Sequence, residues 1–468
     1  MTKKNSLAKN TFLLMVATIM NKGIMVIAIP LFSRWLTTEE YGLFDVYTTY
    51  ITLLVPLLTL AIGEAVFRYG IEKEGTEHQI AYISSGLFVT VVGVFFLIIV
   101  SFLFFENNYQ IMIPFMLYAI MDILGEYLLG FMRTIRKISY YAICSIASTL
   151  LVFLLTFLFV KILGFGVSGI MFAYAVSSGA KNLIIIIITK FYKYINFNSI
   201  NKAMIFEMLK YSVMLVLSNI SWWIVNVSDR WLIKCFLGVS SNGIYAAACK
   251  IPNLVASLTA MFSISWQEAA IDELNSENRS KYFDSIYNKM LVLILSISTC
   301  LTASNFLIFG LFFDSRYEEG RVYLPILAAS SVFHAMIFFF NGINIGLKKP
   351  KANSVSVFVG AVTNFIINIS LINHVQLYAA AISTLVSNAI IFLVMMISVR
   401  KVYIPNHKPQ TIICILIFLY FSIIQYCPIS NELVFNTFNF SIACILTFVF
   451  NKDFIISKIN SIYRRVKK

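Results

Sequence analysis

Apolar runs of about twenty residues recur along the whole chain, separated by short polar stretches. A helix of roughly 20 residues spans the hydrocarbon core of a bilayer, and a helix satisfies its own backbone hydrogen bonds in lipid. The pattern therefore predicts an all-α polytopic membrane protein. Its fourteen predicted spans lie near residues 10–33, 44–67, 79–104, 110–132, 139–161, 165–189, 209–236, 240–267, 286–312, 322–346, 353–373, 378–399, 409–427 and 434–450.

The composition excludes a soluble protein. Of 468 residues, 59% are hydrophobic and 12% charged, whereas soluble domains carry roughly 25% charged residues. The net charge of +14 could suggest a nucleic-acid ligand. The Lys and Arg residues cluster between apolar runs, however, as topology signals do, so we predict no nucleic-acid partner. The seven Cys form no CxxC pair or His cluster, and we predict no metal, cofactor or disulfide framework.

Basic residues also predict the orientation. They concentrate in both tails and in alternate loops, at 133–137, 190–202, 348–351 and 400–408. Basic loops remain cytoplasmic. Both termini are therefore expected to be cytoplasmic, and the number of spans to be even.

An internal repeat divides the chain. Residues 36–44 match 237–245 as Leu, five residues, Gly, an aliphatic and an aromatic residue, at an offset of 201. Small residues four apart, which permit close helix approach, recur at an offset of 210: Gly169, Ala173 and Ser177, then Ala379, Ser383 and Ser387. The predicted domains are a six-helix bundle at 1–195, a second at 205–402, and two additional helices with a basic cytoplasmic tail at 408–468.

Several cations stand deep inside predicted spans. Charges at bilayer depth are costly and usually face a protein interior or a wet cavity. Lys22, Lys181 and Lys250 lie too far from either interface to reach it easily. Together with Arg230 they predict a cationic cavity, which suits a diphosphate or an acidic sugar.

The acidic residues leave alternatives open. Asp122 and Glu126, one turn apart, could be hydrogen-bonded struts, could balance a buried lysine, or could carry a coupling proton. Asp229 and Arg230 could form a local structural pair, perhaps with Lys234, or bind a ligand directly.

Other polar residues have equally open roles. Glu64 and Arg68 fit a local salt bridge or snorkelling as well as gating. His334 alone indicates a packed polar residue rather than a proton switch.

Three stretches resemble a known family: PLFSRWLTTEEYGLFDVY at 30–47, IGEAVFRYG at 62–70 and SDRWLIKCFLGVSSNGIYAAACKI at 228–251. They resemble the polysaccharide-transporter branch of the multidrug/oligosaccharidyl-lipid/polysaccharide exporter superfamily, and within it the Wzx-type O-antigen and capsule repeat-unit flippases. The resemblance covers roughly residues 8–400. It implies a MATE-like fold of two six-helix bundles around a central cleft. Many members have twelve spans, so the last two helices here are a departure.

The resemblance also implies an activity. It is the translocation of an undecaprenyl-diphosphate-linked oligosaccharide across a bacterial cytoplasmic membrane by alternating access, with membrane lipids and glycan-assembly proteins (a polymerase, a chain-length regulator) as partners. The residues expected to attract the diphosphate or glycan are Lys22, Arg34, Arg68, Lys181, Arg230 and Lys250. Those expected to couple or balance charge are Asp45, Glu64, Asp122, Glu126 and Asp229.

Three other functions compete with this one. A multidrug cation antiporter on the same fold needs an anionic site, against which the deep lysines argue. A membrane glycan polymerase or glycosyltransferase needs catalytic residues outside the membrane, and the outer loop 314–321 is small. A third possibility is a scaffold without transport. Nothing resembles an ATP-binding P-loop, so we do not expect self-contained ATP-driven transport. The small outer loop leads us to expect that the protein is not an enzyme.

Overall fold

The computed structural model describes residues 3–73, 75–104, 109–347, 349–427 and 432–466. Within these residues the regular structure is helical, as predicted. The α-helices are α1 (Lys3–Trp35), α2 (Thr38–Leu58), α3 (Ile62–Gly70), α4 (Glu77–Phe104), α5 (Tyr109–Thr134), α6 (Ile138–Thr156), α7 (Gly166–Thr189), α8 (Lys202–Leu237), α9 (Val239–Glu273), α10 (Arg279–Ala303), α11 (Asn305–Phe312), α12 (Leu324–Gly346), α13 (Pro350–Val375), α14 (Leu377–Val399), α15 (Pro409–Ile424) and α16 (Glu432–Val466).

Each predicted span falls on one or two of these helices. In the described part of the chain, 12 helices are long and apolar enough to cross a membrane. The eighth and thirteenth predicted spans fall outside this set. The eighth lies on α9, which has 35 residues, and the thirteenth lies on α15, a shorter apolar helix of 16 residues. The protein is a multi-pass, all-helical membrane protein.

Two of the predicted spans are interrupted, at 59–61 and at 304. Between α2 and α3, Leu60 and Ala61 adopt left-handed φ values of 51° and 50°. The first residue of this break, Thr59, donates its hydroxyl to the carbonyl of Val55 at 2.8 Å. At the break between α10 and α11, the Ser304 hydroxyl bonds the carbonyl four residues earlier at 2.7 Å. Hydroxyls that bond to the preceding turn offer the backbone an alternative to continuing the helix.

The repeated turn occurs at the same local position in each half. In the first half, Thr37 caps α2: its side chain accepts from the Glu40 backbone N–H, and the Glu40 carboxylate accepts from the Thr37 N–H at 2.9 Å. Such a capping box satisfies two backbone donors at once. In the second half the turn depends on Gly238, whose φ of 89° favours glycine. The matched sequences thus start a helix by two different means.

The chain divides into two compact units, Met1–Trp223 (unit 1) and Ile224–Lys468 (unit 2). In unit 1, α7 packs against α5 and α6. In unit 2, α14 packs against α12 and α13. The repeated small residues of α7 and α14 are all buried: Gly169, Ala173, Ser177, Ala379, Ser383 and Ser387.

The two last helices of unit 2 pack on α10. The connector that precedes α15 is held there by Asn288, whose amide donates to the carbonyls of Asp284 and Asn406, both at 2.8 Å. The Asn288 side-chain oxygen accepts from the Lys408 N–H at 3.0 Å and from the Thr411 hydroxyl at 2.6 Å. One buried amide side chain therefore anchors the start of the additional helical pair.

Candidate functional site

Close packing of α5 against α3 positions the charged side chains of unit 1. A Cβ added to Gly130 of α5 would lie 2.3 Å from the carbonyl oxygen of Gly63 in α3. A Cβ on Gly63 would lie 3.1 Å from the Glu126 carbonyl oxygen. The two backbones touch because neither glycine has a side chain. This contact places an acid of α3, Glu64, beside the acids of α5.

Glu64 and Arg68 do not pair with each other, and each forms an ion pair with a different residue. The Glu64 carboxylate pairs with Arg133 of α5 at 2.5 Å, and the Arg133 guanidinium lies 3.9 Å from the centre of the Phe67 ring. Arg68 instead pairs with Glu72, and both of those side chains are more than half exposed. The local pair that the spacing of Glu64 and Arg68 allows is therefore replaced by two others.

Lys181 of α7 lies over a glycine of α5. Its amine is 3.2 Å from the position that a Cβ of Gly125 would occupy, and the Asn182 side-chain oxygen is 3.3 Å from the same point. The amine is also 5.5 Å from the centre of the Tyr141 ring and interacts electrostatically with Asp122. Of the alternatives for Asp122, charge balance of Lys181 fits this geometry.

We call Asp122, Glu126, Lys181, Glu64 and Arg133 the unit-1 charge cluster. Glu126 interacts electrostatically with Asp122 on its own helix and with Glu64 of α3. The three carboxylates therefore form a row, with one cation at each end. Because three helices contribute to it, the row can form only when they are packed together.

The remaining predicted site residues of unit 1 lie on α1 and α2, whereas the cluster lies on α3, α5 and α7. Lys22 and Arg34 are exposed on α1. Asp45 is buried in α2, 8% exposed. The side chains of Lys22 and Arg34 are thus accessible rather than packed inside the helices.

Unit 2 contains a cavity of about 80 Å³ between α8, α9, α12 and α14. At one side the Arg230 guanidinium bonds the Asp229 carboxylate at 2.9 Å and the Asn226 carbonyl at 3.0 Å. The Asp229 and Arg230 side chains are only 3% and 7% exposed. The Tyr245 hydroxyl lies near the Asp229 carboxylate. Asp229 and Arg230 therefore form the local pair that was one of the two alternatives.

The rest of the cavity wall combines apolar residues with uncharged polar side chains. Asn388 donates its amide to the Ser330 hydroxyl at 2.8 Å, and Ser330 donates to the Thr384 carbonyl at 3.3 Å. The His334 ring lies edge-on to Phe338, with centres 5.0 Å apart. A polar cavity of this size can hold a few water molecules. Lys250 is half-buried on α9; its neighbour Cys249 lines the cavity, whereas Lys250 does not.

Sequence reasoning missed the amide and phenol groups of both sites. Asn182, Asn388 and Tyr245 carry no charge at neutral pH, so a pattern of charged residues inside apolar runs does not include them. An asparagine inside an apolar run is a comparable signal, since buried amides in membrane helices usually bond another helix. Asn182 does so: its amide donates to the Met121 carbonyl of α5 at 2.8 Å. Among the residues that the structure describes, no group of His, Cys, Asp or Glu is arranged to hold a metal ion.

The chain is similar to known membrane proteins. A relative named uncharacterized membrane protein MJ1375, from Methanocaldococcus jannaschii, is 21% identical over 424 residues, which are 85% of this chain and 99% of the relative. The lipid II flippase MurJ in its inward closed conformation superposes with a TM-score of 0.70 and 14% identity, over 95% of this chain and 100% of MurJ.

A multidrug resistance MATE family transporter of the MOP superfamily, in its inward-facing conformation, superposes with a TM-score of 0.65 and 14% identity. That match covers 82% of this chain and 94% of the transporter. These likenesses show that the fold is that of MurJ and the MATE transporters, which confirms the predicted fold class.

Family membership rests on a longer sequence match. The family described as polysaccharide biosynthesis protein matches residues 7–266, which is more than half of the chain. The matched region includes the three stretches, 30–47, 62–70 and 228–251, that carry the family resemblance. The chain belongs to the polysaccharide biosynthesis protein family.

Proposed function

We propose that this protein is a flippase for lipid-linked oligosaccharides. It moves undecaprenyl-diphosphate-linked repeat units from the inner to the outer leaflet of a bacterial cytoplasmic membrane by alternating access, for the synthesis of O-antigen, capsule or exopolysaccharide. The observation that carries the proposal is the combination of the polysaccharide biosynthesis family match with a fold shared with a lipid II flippase over 95% of the chain. The basic loops support cytoplasmic positions for both termini.

The cationic residues supply the recognition chemistry in this proposal. Lys and Arg are the usual partners of phosphate oxygens, Arg through a planar fork and Lys as a point charge. The exposure of Lys22 and Arg34 on α1 allows a diphosphate to reach them. Lys181 and Arg230 already interact with acids. They can contact the headgroup only if it competes with Asp122 or Asp229.

A multidrug cation antiporter is the second candidate. The row of three carboxylates in unit 1 favours it, because such a row attracts cations. The extent of the structural likeness favours the flippase: the MurJ match covers 95% of the chain and the MATE match 82%.

Reconstitution tests the flippase directly. The purified full-length protein is placed in proteoliposomes that contain a fluorescent undecaprenyl-diphosphate oligosaccharide, and the fraction accessible to an external quencher is followed over time. We expect accessibility to equilibrate in minutes with the protein and to stay constant without it. If the lipid never changes leaflet while a cationic dye is transported, the antiporter is the correct function.

Charge removal tests the recognition residues. We expect Lys22→Ala, Lys181→Ala and Lys250→Ala each to slow the flipping of the diphosphate lipid. The matched control is Lys161→Ala, which removes an exposed lysine after α6. If all three variants, at normal expression, support surface-glycan export as well as the control does, cationic recognition is wrong even though transport stands.

A further inference from the structure

We propose that the segment between α7 and α8, residues 190–202, is a docking surface for the anionic headgroups of the membrane. We call this segment the unit-1 connector. Its exposed aromatic side chains insert among the lipids, and its lysines bind the lipid phosphates. The inference concerns how the protein holds its membrane, and it does not depend on which solute the protein transports.

The unit-1 connector is fixed against the rest of unit 1. The left-handed φ of 53° at Lys190 ends α7 and turns the chain out of the helix. The backbone N–H of Asn196 donates to the buried Ser84 hydroxyl of α4 at 2.9 Å. The backbone N–H of Asn201 donates to the buried Ser85 hydroxyl of the same helix at 3.2 Å. Because these bonds order the surface before any ligand arrives, binding to it costs little conformational entropy.

The aromatic residues of the connector divide into a buried set and an exposed set. Phe191 is buried, with its ring centre 4.8 Å from that of Phe131 in α5, and Tyr194 packs on the same ring at 5.3 Å. Tyr192 and Phe197, by contrast, are 66% and 75% exposed. The connector lies directly between two membrane-spanning helices. Its exposed rings therefore lie at the membrane–water interface, where aromatic side chains are enriched.

The charge of this surface has one sign. Lys190, Lys193 and Lys202 are exposed, and 190–202 contains no acidic residue. The nearest acid in the sequence, Glu207, accepts a hydrogen bond from the Tyr82 hydroxyl at 2.9 Å. Basic loops predict that this end of unit 1 is cytoplasmic, and anionic lipids give the cytoplasmic leaflet a negative surface potential. The connector is complementary to that leaflet in charge.

The loop between α5 and α6 extends the same surface. Ile135 and Tyr194 both pack against the hydrophobic cluster that contains Phe191. The residues that follow Ile135, Arg136 and Lys137, are exposed. The cations thus spread over two neighbouring segments, with aromatic rings among them. A broad anionic surface such as a bilayer fits this arrangement better than a single small anion does.

The equivalent segment of unit 2 provides a matched control. At the offset of 210 that relates α7 to α14, residues 400–408 follow α14 as the connector follows α7. They also contain three basic residues, Arg400, Lys401 and Lys408. Their tyrosine, Tyr403, is buried, and the large exposed side chain is the aliphatic Ile404. The two segments therefore match in basic charge and differ in exposed aromatic rings.

Hydrogen exchange in nanodiscs tests the lipid surface without a transport assay. The full-length protein is placed in phosphatidylcholine nanodiscs, the share of phosphatidylglycerol is raised stepwise, and exchange of the amides of 190–202 is followed. We expect phosphatidylglycerol to slow this exchange, because docked headgroups restrict local opening of the connector. Lys193→Gln should need roughly fivefold more phosphatidylglycerol for the same protection, as one lysine contributes near an anionic surface. High salt should weaken the protection.

Two triple variants separate a local surface from the net charge of the protein. The first changes the connector: Lys190→Gln, Lys193→Gln and Lys202→Gln. The second removes as much charge from unit 2: Arg400→Gln, Lys401→Gln and Lys408→Gln. We expect the first to lose the response of 190–202 to phosphatidylglycerol and the second to keep it. If the first does not fold, Lys193→Gln alone provides the test.

Three results would overturn the proposal. One is a wild-type connector whose exchange ignores phosphatidylglycerol. Another is a response lost equally in both triple variants, which would reflect net charge alone. The third is a connector that is protected by polyglutamate and not by phosphatidylglycerol, which would make an acidic protein the partner.

The exposed ring is tested separately. Phe197→Ser should speed exchange of the connector in phosphatidylcholine alone as well as in the mixed membrane, because insertion of a ring at the interface needs no lipid charge. The matched control, Ile404→Ser, removes an exposed apolar side chain from unit 2 and should leave 190–202 unchanged. If Phe197→Ser exchanges like the wild type in both membranes, the ring is not inserted and the proposed docking is wrong.

Discussion

The two units balance their charges in different ways. In unit 1 the charge cluster is assembled from α3, α5 and α7, and Arg133 and Glu64 meet across 69 positions of sequence. In unit 2 the buried pair consists of two consecutive residues of α8, Asp229 and Arg230. Charge balance in unit 1 thus depends on helix packing, whereas in unit 2 it is local to one helix. Changes in helix packing should therefore disturb the charge balance of unit 1. Single substitutions at Asp229 or Arg230 should disturb the charge balance of unit 2.

The largest effect should follow loss of the unit-2 acid. Asp229→Ala removes the carboxylate from a nearly fully buried arginine, and breaking a buried ion pair costs about 3–5 kcal/mol. We expect a large fall in the melting temperature of the protein in nanodiscs. The double variant Asp229→Ala with Arg230→Met should recover most of it, because an apolar side chain needs no counter-charge.

The matched control for that prediction is an exposed pair. Arg316 and Asp314 are bonded at 2.7 Å, and their side chains are 42% and 28% exposed. Exposed ion pairs contribute roughly 0–1 kcal/mol, so Arg316→Ala should be nearly neutral, because it leaves the Asp314 side chain free to accept from the backbone N–H of residue 316. If Asp229→Ala is no more destabilising than this control, the local pair of unit 2 does not have the importance that its burial implies.

A packing change in unit 1 should have the next largest effect. In Gly130→Ala the new methyl would meet the Gly63 carbonyl oxygen at 2.3 Å, so α3 and α5 must separate. Overpacking of this kind typically costs about 1–3 kcal/mol. We also expect the Arg133–Glu64 ion pair to be weakened, because Arg133 lies on α5 and Glu64 on α3.

The control for Gly130 lies on α1. A Cβ on Gly23 meets nothing within 4 Å, so Gly23→Ala should leave the melting temperature almost unchanged. A Gly130→Ala protein with the same melting temperature as wild type would show that the α3–α5 contact does not stabilise unit 1.

The same contrast explains what could be predicted from sequence. The helices follow from the apolar runs, the repeat follows from the matching residues 36–44 and 237–245, and the pair of Asp229 with Arg230 was foreseeable because the two residues are neighbours. The partner of Glu64 could not be foreseen in this way. Arg68 lies one turn from Glu64 on the same helix, yet the cation that pairs with Glu64 is Arg133 of α5. Such pairs depend on how helices pack, which a single sequence does not encode in its periodicity. The break at 59–61 was missed because its apolar run continues through Leu60 and Ala61.

The anchored connector of unit 2 gives a third, smaller effect. Asn288→Leu removes the acceptor of the Lys408 N–H and the donor to the Asn406 carbonyl, and each buried polar group left unsatisfied costs about 1–3 kcal/mol. Because water can reach part of this connector, we expect the lower end of that range. Faster hydrogen exchange at 400–408, with little change in the exchange of unit 1, would confirm it. Thr363→Ala is the control, since its exposed hydroxyl bonds only its own helix. Equal exchange in both variants would contradict the role of Asn288.

The smallest effect concerns Tyr403 in the same connector. Its hydroxyl donates to the Asp284 carboxylate at 2.9 Å, and its ring meets Phe283 edge-on at 5.5 Å. Burial, reinforced by the hydrogen bond to Asp284, raises the pKa of Tyr403 above its usual value. At neutral pH, Tyr403→Phe should cost about 1 kcal/mol for the lost hydrogen bond.

The pH dependence of this variant has a definite sign. Above about pH 10 an unfolded chain loses the tyrosine proton while folded Tyr403 keeps it, so the stability that the phenol contributes is present below that pH and declines as the pH rises. The difference in melting temperature between wild type and Tyr403→Phe should therefore narrow between pH 8 and pH 11. The exposed Tyr192 provides the control: Tyr192→Phe should show no such narrowing, because its phenol is solvated in the folded chain too. A gap for Tyr403→Phe that stays constant or widens at high pH would mean that the phenol is not held neutral by its bond to Asp284.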